Sequence, residues 1–164
     1  MEHMIDDYLA FARGEGGEAT DLLNLRRLID DVSHGAIRAG ARVSVDADPA
    51  LNIHGRPTAL KRALSNLVMN AAAHGEHVAI SARGLASHGV EIAIDDDGPG
   101  IPEDRFEEAF TPFSRLDESR NQNAKGVGLG LAIARDVVRG HGGDLTLDRS
   151  ALGGLRAVIR LPGA

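Results

Sequence analysis

A chain of 164 residues suffices for one well-cored domain and falls short of two ordinary ones. Apolar residues make up 43% and aromatics only 3%, so the chain is globular with an aliphatic core, and no apolar run approaches the roughly 20 residues that span a bilayer. A net charge of -6 without a Lys/Arg cluster excludes a phosphate-backbone binder, and the lack of cysteine excludes disulfides and thiolate metal sites.

Residues 1–12 carry Met4, Tyr8 and Phe11 on one stripe, with Ile5, Leu9 and Ala12 beside it, which predicts a helix. Its onset at Met1 without a cap predicts a cut from something longer. Gly14-Glu15-Gly16-Gly17-Glu18 predicts a flexible acidic linker over 14–20, followed by one domain over 21–164. Leu22 to Leu25 predicts a short strand, and 26–39 a helix with Leu28, Ile29, Val32 and Ile37 inward. Val43-Ser44-Val45 and Leu51-Asn52-Ile53 predict two more strands. Pro57 suits the first turn of a helix that runs to Gly75. Alternation then predicts strands at 77–83 and 89–96.

Residues 102–125 show no sustained period, and a loop of that length in a compact domain marks a functional lid. A helix is predicted at about 128–140, ending at His141-Gly142-Gly143 with His141 as its cap, and strands at 144–149 and 154–161 close the chain. Helices and strands mix without regular βαβ alternation. That predicts an α/β sandwich with helices on one face of a mixed sheet.

Three segments carry chemistry. On the helix at 57–75, Leu60, Leu64, Leu67, Val68 and Ala71 form the core stripe, while Asn66, Asn70 and His74 recur at every fourth position along its flank. Asparagine is a poor helix former, but its side-chain oxygen suits Mg²⁺. Taken alone, the pair reads equally well as solvated or capping amides. On the strand at 89–96, Val90, Ile92 and Ile94 share a parity that Asp96 continues, aiming a carboxylate at the covered face. There it needs a donor, and an adenine amine is one. Gly98 and Gly100 then let the backbone approach a ring, although an ordinary Asp-Gly turn has the same signature. Finally Gly126, Gly128 and Gly130 precede an apolar helix, with Lys125 at the mouth, an arrangement that binds anions. It matches neither the P-loop nor the dinucleotide fingerprint, and a flexible hinge is the plain alternative.

With the Phe110-Thr111-Pro112-Phe113 run, these segments stand in one order along the chain. As an ordered set they resemble the four sequence boxes of the sensor histidine kinase catalytic domain, a branch of the Bergerat-fold (GHKL) ATPases. The resemblance spans about residues 21–161, down to the closing strand through Ile159-Arg160-Leu161-Pro162. It implies a Bergerat-fold domain with a long ATP lid, binding ATP or ADP with Mg²⁺. It implies Asn66 and Asn70 as catalytic residues, with the metal on Asn70. His74 falls where the family stacks an aromatic on adenine, and Asp96 where it reads the base. Gly98, Gly100, Ile101 and Phe113 are then nucleotide contacts. Arg115, Lys125, Gly126, Val127, Gly128, Leu129, Gly130 and Leu131 fall on the phosphate side. Ala73 stands where many members carry Lys or Arg, and Val127 where a Ser or Thr is common, so two polar contacts are missing.

None of the seven histidines has the context of the family's phosphoacceptor, which lies on a separate helical hairpin. Residues 1–13 instead resemble the end of that hairpin's second helix. The resemblance therefore implies a catalytic fragment of a two-component kinase that transfers the ATP γ-phosphate to a hairpin histidine. Its partners would be the parent's dimerisation and phosphotransfer domain and, through the parent, a response regulator. Neither nucleic acid nor membrane is an expected partner. The fragment is expected in the cytoplasm, whether or not the parent is an inner-membrane sensor. Two other readings fit the same fold: a nucleotide-sensing regulator that transfers nothing, and a hydrolytic ATPase. Against the second, hydrolytic relatives carry Glu where Asn66 stands.

Overall fold

The computed structural model describes residues 19–86, 89–110 and 130–163. Along the chain run β1 (Asp21–Asn24), α1 (Leu25–Arg38), β2 (Arg42–Ala47), β3 (Asn52–Gly55) and α2 (Pro57–His74). Next come β4 (His77–Gly84), β5 (Val90–Asp96), a 3₁₀ turn (Glu103–Arg105) and α3 (Phe106–Ala109). The described chain ends with α4 (Gly130–Gly140), β6 (Asp144–Arg149) and β7 (Leu155–Leu161). The predicted helix at 1–12 and linker residues 14–18 lie outside the described residues.

One five-stranded sheet has the order β2-β4-β5-β7-β6, and β1 pairs with β3 in a separate antiparallel ribbon. Only β2 and β4 run parallel; the other pairs in the large sheet are antiparallel. The sheet is mixed, as the element order implied. Its inward parity (Val78, Ile80, Ile92, Ile94, Leu145, Ala157, Ile159) joins one cluster with Leu25, Ile29, Leu60, Leu64, Leu67, Val68, Ala134 and Val138 from the helices. The helices therefore cover one face, forming the α/β sandwich. Among the described residues no helix is long and apolar enough to cross a membrane.

Several boundaries and faces differ from the sequence expectation. Leu25 is the first residue of α1 rather than the end of a strand, because the Asn24 side chain caps the helix by accepting the Arg27 N–H at 3.0 Å. The buried stripe of α1 is Leu25, Ile29, Val32, Ser33 and Ala36, so Ile37 turns outward and is 50% exposed. Apart from the adjacent Val32 and Ser33, stripe members follow one another at three or four residues, and Ile37 sits about 100° past Ala36 on the helical wheel. Residues 103–109 are helical, not aperiodic: a 3₁₀ turn after Pro102 leads into α3, too short for a period to register. The alternation of β5 is real, yet every one of its residues is buried.

Candidate active site

Asp96 ends β5 on the helix-covered side and is 2% exposed. Its Oδ1 accepts the backbone N–H of Gly98 at 2.9 Å and of Leu155 at 3.2 Å. The Gly154 N–H also donates to the Asp96 carbonyl at 3.1 Å. Burial pushes the Asp96 carboxyl up from its ordinary range, and the Gly98 and Leu155 amides only partly pull it back. Among the described residues both donors reach Oδ1, so Oδ2 keeps its acceptor capacity for something else.

Glycine is required where three backbones crowd this carboxylate. A Cβ on Gly154 would strike Asp96 Oδ1 and lie 2.6 Å from the Asp96 carbonyl oxygen and 2.7 Å from the Gly98 nitrogen. A Cβ on Gly98 would strike the His74 carbonyl. Next in line, Gly100 takes a φ of +72°, the left-handed region that favours glycine. The end of α2, the turn after β5 and the turn before β7 thus converge on Asp96. Asp97 fastens the same corner from outside: its Oδ1 accepts from the Glu76 N–H at 2.8 Å and the His77 N–H at 3.1 Å. Those hydrogen bonds hold its carboxyl below the usual range.

Asn66, Asn70 and His74 are all half-buried on the flank of α2, whose stripe Leu60, Leu64, Leu67, Val68 and Ala71 is buried as the spacing predicts. The His74 ring closes the helix, with Nδ1 at 2.8 Å from the Asn70 carbonyl. At the other end of the site Gly130 opens α4, and a Cβ there would meet the Asn66 Cβ at 3.9 Å. Ile101 and Leu131 pack, partly buried, against the core. Two junctions therefore exist: His74 with the Asp96–Gly98 turn, and Asn66 with the start of α4. Phe113, Arg115, Lys125, Gly126, Val127, Gly128 and Leu129 lie outside the described residues.

Phe110 begins the predicted lid motif and is 2% exposed in the core. The guanidinium of Arg135 lies 4.0 Å from its ring centroid and donates to Glu107 at 3.1 Å, tying α3 to α4. Sequence reasoning missed Gly154 and Leu155, whose amides brace Asp96, and Asp97 as a fastener. A Gly153-Gly154 turn before the last strand was the available signal.

The arrangement offers a buried acceptor for a neutral N–H donor at one end and a pair of amide oxygens at the other. Half-buried amide oxygens one turn apart are chemically suited to a hard cation that keeps part of its water shell.

Residues 55–164 match the model of the histidine kinase-, DNA gyrase B- and HSP90-like ATPase family. The chain belongs to this family. It is 36% identical over 170 aligned positions to the sensor histidine kinase CpxA of Escherichia coli K12, covering 99% of this chain and 37% of that protein. The solved ATP-binding domain of PrrB from Mycobacterium tuberculosis superposes with a TM-score of 0.73 at 35% identity, covering 88% of this chain and 98% of that one. A mycobacterial sensor histidine kinase, MprB, gives 0.78 at 28% identity, with 88% and 98% covered. The chain spans about a third of the length of the curated relatives it matches, and what it matches in them is the catalytic, ATP-binding domain of sensor histidine kinases.

Proposed function

We propose that this chain binds ATP with its base at Asp96 and its phosphates along α2 and the start of α4, and passes the γ-phosphate to a histidine on a separate helical hairpin. The observation that carries this reading is the divided carboxylate of Asp96, with one oxygen fixed by two amides and the other without a donor among the described residues, an acceptor for an exocyclic amine. His74 stacks on the base. Gly98, Gly100 and Ile101 line the turn beside it. Asn70 holds Mg²⁺ with Asn66 supporting it, and the ion when bound neutralises phosphate charge. By sequence, Lys125, Arg115 and the Gly126–Gly130 run supply further positive groups and amides. Phosphoryl transfer then depends on alignment and electrostatics rather than on a protein nucleophile. Asn66 gives an amide where water activation would need a base, which favours transfer over hydrolysis.

In this reading residues 1–13 end a hairpin helix, 14–20 form a linker, and the partners are the parent's phosphotransfer hairpin and a response regulator, all in the cytoplasm. The test is incubation with ATP labelled at the γ-phosphate, with and without a supplied hairpin domain. Acid-labile label is expected on the hairpin only. Label on the chain alone, or rapid phosphate release without a hairpin, would contradict the assignment.

A further inference from the structure

A single imidazole closes one helix and starts another. Nε2 of His141 accepts the backbone N–H of Arg56 at 3.0 Å, so that nitrogen carries no proton. In the neutral ring the proton then sits on Nδ1, which donates to the Val137 carbonyl at 2.7 Å. The first contact falls at the N-cap of α2, where Arg56 makes no side-chain capping bond of its own. The second falls in the last turn of α4, where the His141 amide goes to Val138 instead. The joint is tight as well. A Cβ on Gly55 would strike Leu60 and come within 3.2 Å of the His141 ring, and one on Gly140 would lie 3.1 Å from the Arg56 guanidinium.

The two helices run antiparallel. The start of α2 meets the end of α4 at His141, and the start of α4 meets α2 at Asn66. The separations agree: Arg56 to Asn66 and Gly130 to His141 each span about 15 Å at helical rise. A helix of this length acts as a rod, so fixing one end fixes where the other end lies.

We infer that His141 is a positioning residue for phosphate binding: it sets the axial position of α4 against α2, and so places the start of α4 opposite Asn66 and Asn70. The inference rests on the nucleotide reading above. It predicts a split between the two ends of the ligand, because the Asp96 turn is braced by β7 and does not depend on α4.

The experiment is titration calorimetry on this chain with two ligands, adenosine and ADP with Mg²⁺. The variants are His141→Ala, His141→Asn and His141→Gln. Glutamine can still offer an oxygen to the Arg56 N–H, whereas asparagine is too short to reach it. In the Ala and Asn variants ADP affinity should fall about tenfold or more while adenosine affinity changes less than about twofold, and Gln should recover most of the loss. Should the Ala variant fail to fold, the Gln and Asn pair carries the same comparison. Equal losses for both ligands, no loss for either, or no difference between Gln and Asn would overturn the role of His141. An unaltered chain that binds neither ligand would instead sink the nucleotide reading, and the inference with it.

Discussion

Asp95 and Asp96 are neighbours on one strand and almost equally hidden from solvent, at 8% and 2% exposure, yet their charges are handled in opposite ways. Asp95 faces the side of the sheet opposite the core helices, where its Oδ2 pairs with Arg156 at 3.0 Å and its Oδ1 is buried with no donor among the described residues. Glu91 on the same side is bracketed by Arg83 at 2.9 Å and Arg160 at 3.0 Å. Burial pushes the Glu91 carboxyl up, but the two arginines outweigh it and hold it below its ordinary range. Among the described residues Asp96 has no arginine partner: burial outweighs the Gly98 and Leu155 amides on one oxygen and the weaker pull of the His74 imidazole, and the carboxyl stays above its ordinary range. A carboxylate matched to arginine stabilises a sheet. One steadied mainly by amides can still accept a hydrogen bond from a neutral ligand.

The severest way to break this contrast is Gly154→Ala. The added methyl would push into the Asp96 carboxylate, its carbonyl and the Gly98 amide, and backbone cannot yield as a flexible side chain can. A loss of about 2–3 kcal/mol in thermal or urea unfolding is expected, with nucleotide binding abolished. A variant with unchanged stability and affinity would show that the brace is loose. Next in size is Asp96→Asn. The amide oxygen can keep the Gly98 and Leu155 bonds, but the other position becomes a donor facing a donor. ADP affinity should fall by about tenfold or more, with folding at neutral pH intact or improved because a buried charge is gone. Asp95→Asn, one residue away, should leave affinity within about twofold. Equal losses at both positions would erase the distinction.

The inner half of this picture was legible in the sequence. Parity alone put Asp96 on the covered face, and the i, i+4 spacing put Asn66, Asn70 and His74 on the flank of a buried stripe. What parity could not give was the outer face. Glu91, Ala93 and Asp95 look solvated in an alternating strand, yet all three are buried, and the arginines that pair with the two carboxylates come from β4 and β7, which only strand register brings alongside. The partners of Asp96 were hidden for the same reason, since Leu155 is 59 residues away. His141 could be foreseen as a cap of its own helix. Its hold on Arg56 is a tertiary contact with no local signature.

Smaller effects come from pH and from the outer pairs, and they separate the two faces most cleanly. Asp96 must be ionised to accept from a base, and its folded value is raised, so nucleotide affinity should weaken as pH falls through that raised value. For stability its sign is reversed: folding favours protonated Asp96, a contribution present below the unfolded value and lost as pH rises through the folded one. Glu91 behaves oppositely. Its folded value is depressed, so its contribution is present above the ordinary glutamate value and is lost only as pH falls through the depressed one. There is thus a window above the ordinary carboxylate range in which ADP binding declines while the ion pairs of the outer face persist. Calorimetric titration and thermal unfolding across that window check it, and affinity that holds until the protein unfolds would contradict the raised Asp96. Glu91→Gln should cost only about 1 kcal/mol at neutral pH, because Arg83 and Arg160 are 72% and 58% exposed and regain water when unpaired. That cost should shrink as pH falls through the depressed Glu91 value, while ADP affinity at neutral pH stays unchanged. A Glu91→Gln chain that lost nucleotide at neutral pH would mean that the two faces of β5 are coupled, and that Asp96 owes its placement to the arginines after all.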